Sequence, residues 1–358
     1  MATTILFNKV NLTEYQAFQE ELPPLGEDEV RLKIESFSVT ANNITYAVVG
    51  DAFGYWNFFP GEGDHGVVPM WGHAVVEESQ HADFTVGERV YGYLPMGTHL
   101  DVLPGKVSAS GFTDMAAHRQ PMSPIYNQYS RIAADPEHQP GREAERMIFG
   151  PLFKTGFLIE AMFHRAAWHG AQNVVVTSAS SKTAMAFAHR TKSHSPEIWR
   201  IGLTSPGNID FVRATGLYDE VLAYAELASL PHADAVSVDF AGNADVLRAI
   251  HERLGDHLKY SCLVGATHVD ERGGASASGM PGPAPVLFFA PEHAVAIVKE
   301  AGPAAFAQAV AESWNSFLDT VGGTVAIDER SGLDDAAAAF VATYEGKVDP
   351  ATGIIIRP

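Results

Sequence analysis

Small polar side chains that suit a bound phosphate follow the stretch beginning at Asn173. Asn173-Val-Val-Val-Thr-Ser is typical of a strand buried in a parallel sheet, and an Ala-rich helix begins shortly after it. The free N–H groups and the positive dipole end of such a helix start favour an anion. The side chains placed there are those of Ser180, Ser181, Lys182 and Thr183.

The next strand, Trp199-Arg-Ile-Gly-Leu-Thr, ends in the neutral polar residues Thr204, Ser205 and Asn208. An acidic residue at such a strand end hydrogen-bonds the ribose of NAD, whereas neutral groups leave room for the extra phosphate of NADP. We therefore predict a βαβ nucleotide site that accepts NADP. Serine and alanine replace the glycines of a G-x-G-x-x-G turn, so an ordinary βαβ crossover with a serine N-cap and a solvated Lys182 is the alternative.

A second group of chemically useful side chains follows an earlier strand. Asn42, Asn43 and Tyr46 are polar, and a phenol such as that of Tyr46 can donate a proton or hydrogen-bond an oxyanion. An aromatic run follows and can wall an apolar pocket; we assign Tyr55, Trp56 and Phe59 to it. The alternative is a turn at Asn42-Asn43 and aromatic side chains that belong to the core.

Composition excludes several classes of function. With 43 acidic and 24 basic residues among 358, the formal charge of −19 disfavours nucleic acid and anionic membrane surfaces as partners. The single cysteine, Cys262, allows neither an intrachain disulfide nor a cysteine-rich zinc site. No leader pattern and no long apolar run is found, so we expect a soluble cytoplasmic protein acting on a small molecule.

The elements that must position these residues change in type along the chain. Short strands dominate up to about Gly92, and the alternation in Glu29-Val-Arg-Leu-Lys-Ile-Glu-Ser-Phe predicts a half-exposed strand of a β-barrel-like domain. A helix is predicted from Glu143 to Trp168, broken at Pro151. Strands and helices alternate beyond it, as in the parallel sheet of an α/β protein.

The order of these motifs resembles the medium-chain dehydrogenase/reductase superfamily. The resemblance rests on Gly-Leu-Thr-Ser, on Gly-Leu-Tyr-Asp-Glu-Val-Leu-Ala-Tyr, on Leu-Val-Gly-Ala-Thr-His and on the early Phe-Thr-Val-Gly-Glu-Arg-Val-Tyr-Gly. In detail the sequence is similar to the zinc-free quinone oxidoreductase and enone reductase branch and to the DUF2855 group. The resemblance implies a GroES-like β-barrel domain at 1–145, completed by about 300–358, and a Rossmann doubly wound parallel sheet at 146–299.

The same resemblance implies NADPH as cofactor and a homodimer as the assembly. It implies that Lys182, Ser205 and Asn208 lie near phosphates, that Tyr224 touches the 2′-phosphate and that Tyr46 lies in the substrate pocket. It places three residues by the nicotinamide, namely Gly265, Ala266 and Phe289.

Catalytic zinc, which alcohol dehydrogenases of this superfamily hold through Cys, His and Glu or Cys, is not expected here. Gly72-His73-Ala stands in place of the usual Gly-His-Glu, and Val39-Thr40 stands near the first cysteine position. A tetrahedral site needs three or four converging ligands, which a lone His73 does not supply. We therefore predict no metal.

Together these features predict an NADPH-dependent oxidoreductase that transfers hydride to a conjugated carbonyl or a quinone without zinc. Tyr46, or a water held by Asn43, is expected to stabilise or protonate the enolate. The alternatives are a metal-free carbonyl reductase and a non-catalytic NADPH-binding sensor or scaffold protein.

Overall fold

The structure is a computed structural model that describes residues 1–264 and 279–358. The chain divides into two compact units. The first comprises residues 1–148 and 326–358, and the second comprises residues 149–325. None of the helices in the described ranges has the length and hydropathy needed to span a bilayer.

Strands and helices are numbered in chain order over the described residues. The strands are β1 (Ala2–Asn8), β2 (Tyr15–Glu20), β3 (Val30–Val39), β4 (His65–Gly66), β5 (Pro69–Ser79), β6 (Arg89–Pro95), β7 (His99–Val102), β8 (Pro104–Gly105), β9 (Gly111–Asp114), β10 (Gln128–Arg131), β11 (Asn173–Val176), β12 (Trp199–Thr204), β13 (Glu220–Ala223), β14 (Ala235–Asp239), β15 (Leu258–Leu263), β16 (Val286–Leu287), β17 (Ala326–Ser331) and β18 (Thr352–Arg357). The α-helices are α1 (Ala41–Val48), α2 (Glu143–Arg165), α3 (Lys182–His194), α4 (Ile209–Ala214), α5 (Ala244–Leu254), α6 (Ala290–Ala301), α7 (Pro303–Val321) and α8 (Leu333–Tyr344).

The first unit is built on two sheets. The larger runs in the order β17-β18-β3-β5-β6-β10-β9-β8, with β7 also paired to β3, and the smaller runs β2-β1-β4. Strand β3 was expected to be half-exposed, but Lys33 is its one exposed residue. The guanidinium of the buried Arg31 pairs with Asp101 at 2.7 and 2.8 Å, and β5 and β7 pair with β3 on either side of this residue. A charged residue at an alternating position therefore does not always mark a solvent face.

The core of the first unit lies between its larger sheet and the helices α1 and α8. Phe37, Val68 and Phe340 are completely buried in it, and each such side chain contributes roughly 1.5–3 kcal/mol by leaving water. Gly72 allows β5 to approach β3 closely, since a Cβ at this position would lie 2.2 Å from the Ser36 carbonyl oxygen.

The second unit contains a parallel sheet in the order β13-β12-β11-β14-β15-β16. Val175, Ile201 and Leu203 form its core with neighbouring apolar side chains. The chain leaves β11 in one direction along the sheet and later returns on the other side, at β14. Ligands of open α/β sheets bind at such a reversal, outside the carboxyl ends of the strands.

Two features of the second unit differ from the sequence prediction. Helix α2 continues through Pro151 rather than breaking there, and Phe149 and Phe153 are buried on either side of the proline. Helix α7 belongs to the second unit although residues from about 300 were assigned to the first domain. The reason is that Trp314 and Phe317 pack on the Phe153 ring, with centroids 5.2 and 5.3 Å apart.

Candidate functional site

The carboxyl ends of β11 and β14 are joined by a buried network in the second unit. The Thr177 hydroxyl donates to Asp239 Oδ1 at 2.6 Å and accepts from the Phe240 and Ala241 N–H groups at 3.0 and 3.1 Å. The same Asp239 oxygen accepts from the Ala241 and Gly242 N–H groups at 3.1 and 3.2 Å. These bonds fix the two strand ends between which a ligand of this sheet type binds.

The turn that follows β11 is held by two tyrosines. Ser178 has a left-handed backbone, with φ of 49°, and its N–H donates to Tyr224 Oη at 2.9 Å. The Tyr218 hydroxyl donates to the Ala179 carbonyl at 3.0 Å. Accepting one hydrogen bond leaves the Tyr224 hydroxyl hydrogen available to a ligand oxygen.

Helix α3 begins directly after this turn. The Ser181 side chain is its N-cap and accepts a hydrogen bond from the Ala184 N–H at 3.3 Å, which agrees with the serine N-cap of the alternative interpretation. Lys182 and Thr183 form the first turn of α3 and are half-buried.

Three of the predicted nucleotide-site residues meet beside this helix start. The Thr204 hydroxyl and the Asn208 Nδ2 both lie within hydrogen-bond reach of the Ser180 hydroxyl, at 3.5 and 3.2 Å. Ser180 and Thr204 are buried, Asn208 is half-buried and Ser205 is exposed. Strand β12 thus ends in neutral hydroxyl and amide groups.

The residues predicted to lie by the nicotinamide are only partly described. Gly265 and Ala266 lie outside the described residues. Phe289 is the N-cap residue of α6 and is 52% exposed. Its neighbour Phe288 donates its N–H to the Leu263 carbonyl at 2.8 Å, which places this segment at the carboxyl end of β15.

In the first unit, Tyr46 lies in a cluster of aromatic side chains. Its Oη accepts hydrogen bonds from Asn42 Nδ2 at 2.6 Å and from Trp71 Nε1 at 3.0 Å. Burial raises the pKa of Tyr46 above its ordinary value, an effect that these two donors oppose. The phenol is therefore protonated at neutral pH, and it also interacts with the side chains of Tyr93 and Tyr126.

Other tyrosines complete this aromatic cluster. The Tyr55 ring lies 4.7 Å from that of Tyr46, and the Tyr55 and Tyr126 hydroxyls are 2.9 Å apart. Phe59 is buried with its ring 6.0 Å from that of Tyr93. Sequence reasoning missed Trp71, Tyr93 and Tyr126; the spacing of Tyr91 and Tyr93, which places both on one face of a strand, was an available signal for Tyr93.

Asn43 and Trp56 have roles different from those expected. The Asn43 Oδ1 accepts from the Thr40 N–H at 2.7 Å and its Nδ2 donates to the Pro69 carbonyl at 2.8 Å. This buried amide anchors the start of α1 to β5, so it is not placed to hold a catalytic water. Trp56 packs in the main core against Gly50 rather than in the Tyr46 cluster.

The expectation that His73 stands alone is wrong. The ligand-type atoms of His73, His138 and Glu143 all lie within 4.8 Å of one another. The ring nitrogens of His73 have no hydrogen-bond partner among residues 1–264 and 279–358. However, both Glu143 oxygens accept from Arg89, at 2.7 and 2.9 Å, which holds the pKa of Glu143 below its usual value.

The charge around His73 also disfavours a cation. Burial lowers the pKa of His73 to about 3, and the positive charges of Arg146 and Arg89 lower it further, against the opposing effect of Glu143. A zinc ion here would compete with Arg89 for the only carboxylate of the cluster. These residues therefore fit catalytic zinc poorly.

Comparisons with solved structures establish the fold of the chain. Similar structures include CurA from Vibrio vulnificus in complex with NADPH (TM-score 0.61, 14% identity, covering 99% of this chain and 98% of that one). The quinone oxidoreductase of Pseudomonas syringae pv. tomato DC3000 has a TM-score of 0.58 at 15% identity, with both chains covered completely. The YhdH oxidoreductase of Salmonella enterica in complex with NADP has a TM-score of 0.53 at 14% identity, again with both chains covered completely.

The expected two-domain α/β fold with its parallel sheet is therefore confirmed. No curated protein matches the sequence. Residues 37–349 match the family described as Protein of unknown function (DUF2855), and the chain belongs to this family.

Proposed function

We propose that the protein is an NADPH-dependent oxidoreductase that reduces a conjugated carbonyl or a quinone without zinc. The observation that carries the proposal is the neutral end of β12, where Thr204 and Asn208 converge on Ser180. A carboxylate at this strand end would select the ribose diol of NAD and repel the extra phosphate of NADP. The complexes of CurA with NADPH and of YhdH with NADP support the same cofactor.

The residues of the second unit fit such a cofactor. The carboxyl end of β11 leads into the N-terminus of α3, where backbone N–H groups and the helix dipole favour phosphate. Lys182 in the first helical turn adds a positive charge, and Tyr224 has a hydroxyl hydrogen to donate. These are the groups that we assign to the phosphates, together with Ser205 at the exposed strand end.

In the first unit, Tyr46 is the residue that we assign to the substrate. NADPH, when bound, supplies a hydride to an electron-poor carbon. The substrate oxygen gains negative charge in that step, and the protonated phenol of Tyr46, by turning its hydrogen towards the substrate, stabilises this charge or delivers a proton to it. Asn42 and Trp71 fix the orientation of the Tyr46 hydroxyl, and the surrounding aromatic rings provide an apolar wall for a planar substrate.

The cofactor is tested by titrating the purified protein with NADPH and NADH while following nicotinamide fluorescence. NADPH is expected to bind more tightly than NADH. Ser205→Asp is expected to weaken NADPH binding at least about tenfold, because a repulsion of about 1.4 kcal/mol between the new carboxylate and the extra phosphate changes the affinity tenfold. Ser193→Asp is the matched control, because Ser193 is exposed near the opposite end of α3. No binding of either cofactor would overturn the proposal.

The reaction is tested with a panel of enones, quinones and aldehydes and product analysis. Consumption of the C=C bond of an enone supports the proposal, whereas consumption of the C=O bond favours the metal-free carbonyl reductase. Tyr46→Phe is expected to lower turnover about 100-fold with NADPH binding unchanged, as is typical for loss of one oxyanion donor. Unchanged turnover would remove Tyr46 from this role, and NADPH binding without any turnover would favour the sensor or scaffold function.

A further inference from the structure

One side-chain cluster of the second unit has no part in the proposed reaction. Glu160 and His164 lie one helical turn apart on α2, and His194 is the last residue of α3. Glu160 is completely buried, and the two imidazoles are 47% and 38% exposed. The arrangement is thus a buried carboxylate beneath two histidines that solvent can reach.

We propose that Glu160, His164 and His194 bind a divalent transition-metal ion of the Zn²⁺ type. These residue types are the nitrogen and oxygen ligands that zinc prefers, and two histidines with one glutamate leave a fourth position for water. The proposal is independent of the proposed function, because it uses no residue of the nucleotide site or of the Tyr46 cluster.

The distances between the ligand atoms support the proposal. Zinc bonds of about 2.0–2.1 Å in a tetrahedron place neighbouring ligand atoms about 3.3 Å apart. His194 Nδ1 lies 3.0 Å from Glu160 Oε1, and His164 Nδ1 lies 3.9 Å from the same oxygen. All three ligand atoms lie within 4.8 Å of one another, so small side-chain rotations would bring them around one ion.

A supporting layer of hydrogen bonds surrounds these ligands. The Ser195 hydroxyl donates to Glu160 Oε1 at 2.8 Å, and Trp168 Nε1 donates to Ser195 Oγ at 3.2 Å. His164 Nδ1 lies 3.1 Å from Ser195 Oγ and would exchange this contact for the metal. Partners of this kind orient metal ligands and hold a carboxylate in place. A bound ion would lie between Glu160 and His194 and would join α2 to α3.

The charge of the cluster favours a cation more than the charge around His73 does. Arg190 is the nearest competing positive group, with its Nε 3.3 Å from Glu160 Oε2. Within the described residues the Arg190 Nε lacks a partner with hydrogen-bond geometry, and burial lowers the pKa of Arg190. Glu143, by contrast, gives both of its oxygens to Arg89.

The test is calorimetric titration of the EDTA-treated full-length protein with Zn²⁺, together with Co²⁺ absorption spectroscopy as a report on tetrahedral coordination. We expect His164→Ala and His194→Ala each to reduce the Zn²⁺ affinity at least about 100-fold, because loss of even an outer hydrogen-bond partner of a metal ligand reduces metal affinity about 10–100-fold. Both histidines are partly exposed, so the variants are expected to fold, which circular dichroism checks.

His257→Ala is the matched control, since His257 pairs with Asp234 at 2.9 Å in a similarly exposed position. The control is expected to bind Zn²⁺ like the parent protein and to keep the Co²⁺ spectrum. The proposal is overturned if the parent binds no Zn²⁺, or if its affinity and Co²⁺ spectrum are the same in the His164 and His194 variants. In the latter case the cluster acts only as a network of ion pairs.

Discussion

Thr177→Val tests whether the hydroxyl that joins β11 to β14 holds the strand ends in place. Thr177 is completely buried, and valine keeps its shape while removing the hydroxyl. The Phe240 N–H then loses its acceptor, which costs about 1–3 kcal/mol, and Asp239 loses one hydrogen bond to a charged group, worth about 1.5–3 kcal/mol. The additional buried methyl group returns about 0.8 kcal/mol. We expect a net loss of about 3 kcal/mol.

The comparison with Thr177→Ser isolates the hydroxyl. Serine keeps all three hydrogen bonds and loses one buried methyl group, which costs about 1 kcal/mol. Urea denaturation followed by tryptophan fluorescence gives the free energy of unfolding of both variants, and thermal unfolding followed by circular dichroism gives their Tm. For a unit of this size, 3 kcal/mol corresponds to a fall in Tm of about 6–12 °C. The reasoning is refuted if the valine and serine variants have the same stability, or if serine is the less stable of the two.

Two further predictions concern packing and pH in the second unit. Gly156→Ala is expected to destabilise the protein by about 1–3 kcal/mol, because its Cβ would lie 2.6 Å from the Phe187 backbone nitrogen; Gly207→Ala, with open space around it, is the control for the same denaturation assay. Burial lowers the pKa of His189 to about 4, so the unfolded chain takes up a proton between pH 6.5 and 4 that the folded chain does not. Stability is therefore lost as the pH falls through this range, and His189→Gln is expected to reduce the difference in unfolding free energy between pH 7 and pH 5 by about 2 kcal/mol; an unchanged difference would contradict this assignment.

The sequence predicts the parallel sheet well because its signal is local. The β-branched run at Asn173–Val176 and the polar residues after it identify a buried strand followed by a helix start, and both are present. The unit to which α7 belongs is not a local property. Its apolar stripe is equally compatible with either core, and contact between Trp314 and Phe153, far apart in sequence, decides the matter.

The same distinction between local signals and contacts of distant segments applies to the Tyr46 cluster of the first unit. The residue types predict that Tyr46 can donate a proton and that Asn43 can form hydrogen bonds. They do not predict which groups form hydrogen bonds with either side chain. Tyr46 meets Trp71 through the pairing of distant segments, whereas Asn43 bonds the backbone of Thr40 and Pro69. Side-chain amides are as able to anchor a helix start as to hold a water, and sequence does not separate the two functions.

The glycine-poor turn after β11 takes a left-handed conformation at Ser178 without a glycine. The left-handed conformation at Ser178 costs about 1 kcal/mol or more relative to glycine. Hydrogen bonds from the Ser178 N–H to Tyr224 and from the Tyr218 hydroxyl to the Ala179 carbonyl offset this cost. The two tyrosines lie 46 and 39 residues away from their partners in sequence, so a search for closely spaced glycines does not detect this solution. The absence of the glycine pattern is therefore a weak argument against a nucleotide site. Glycine adopts a left-handed conformation without support, whereas here hydrogen bonds with two tyrosines on either side of β13 stabilise that conformation.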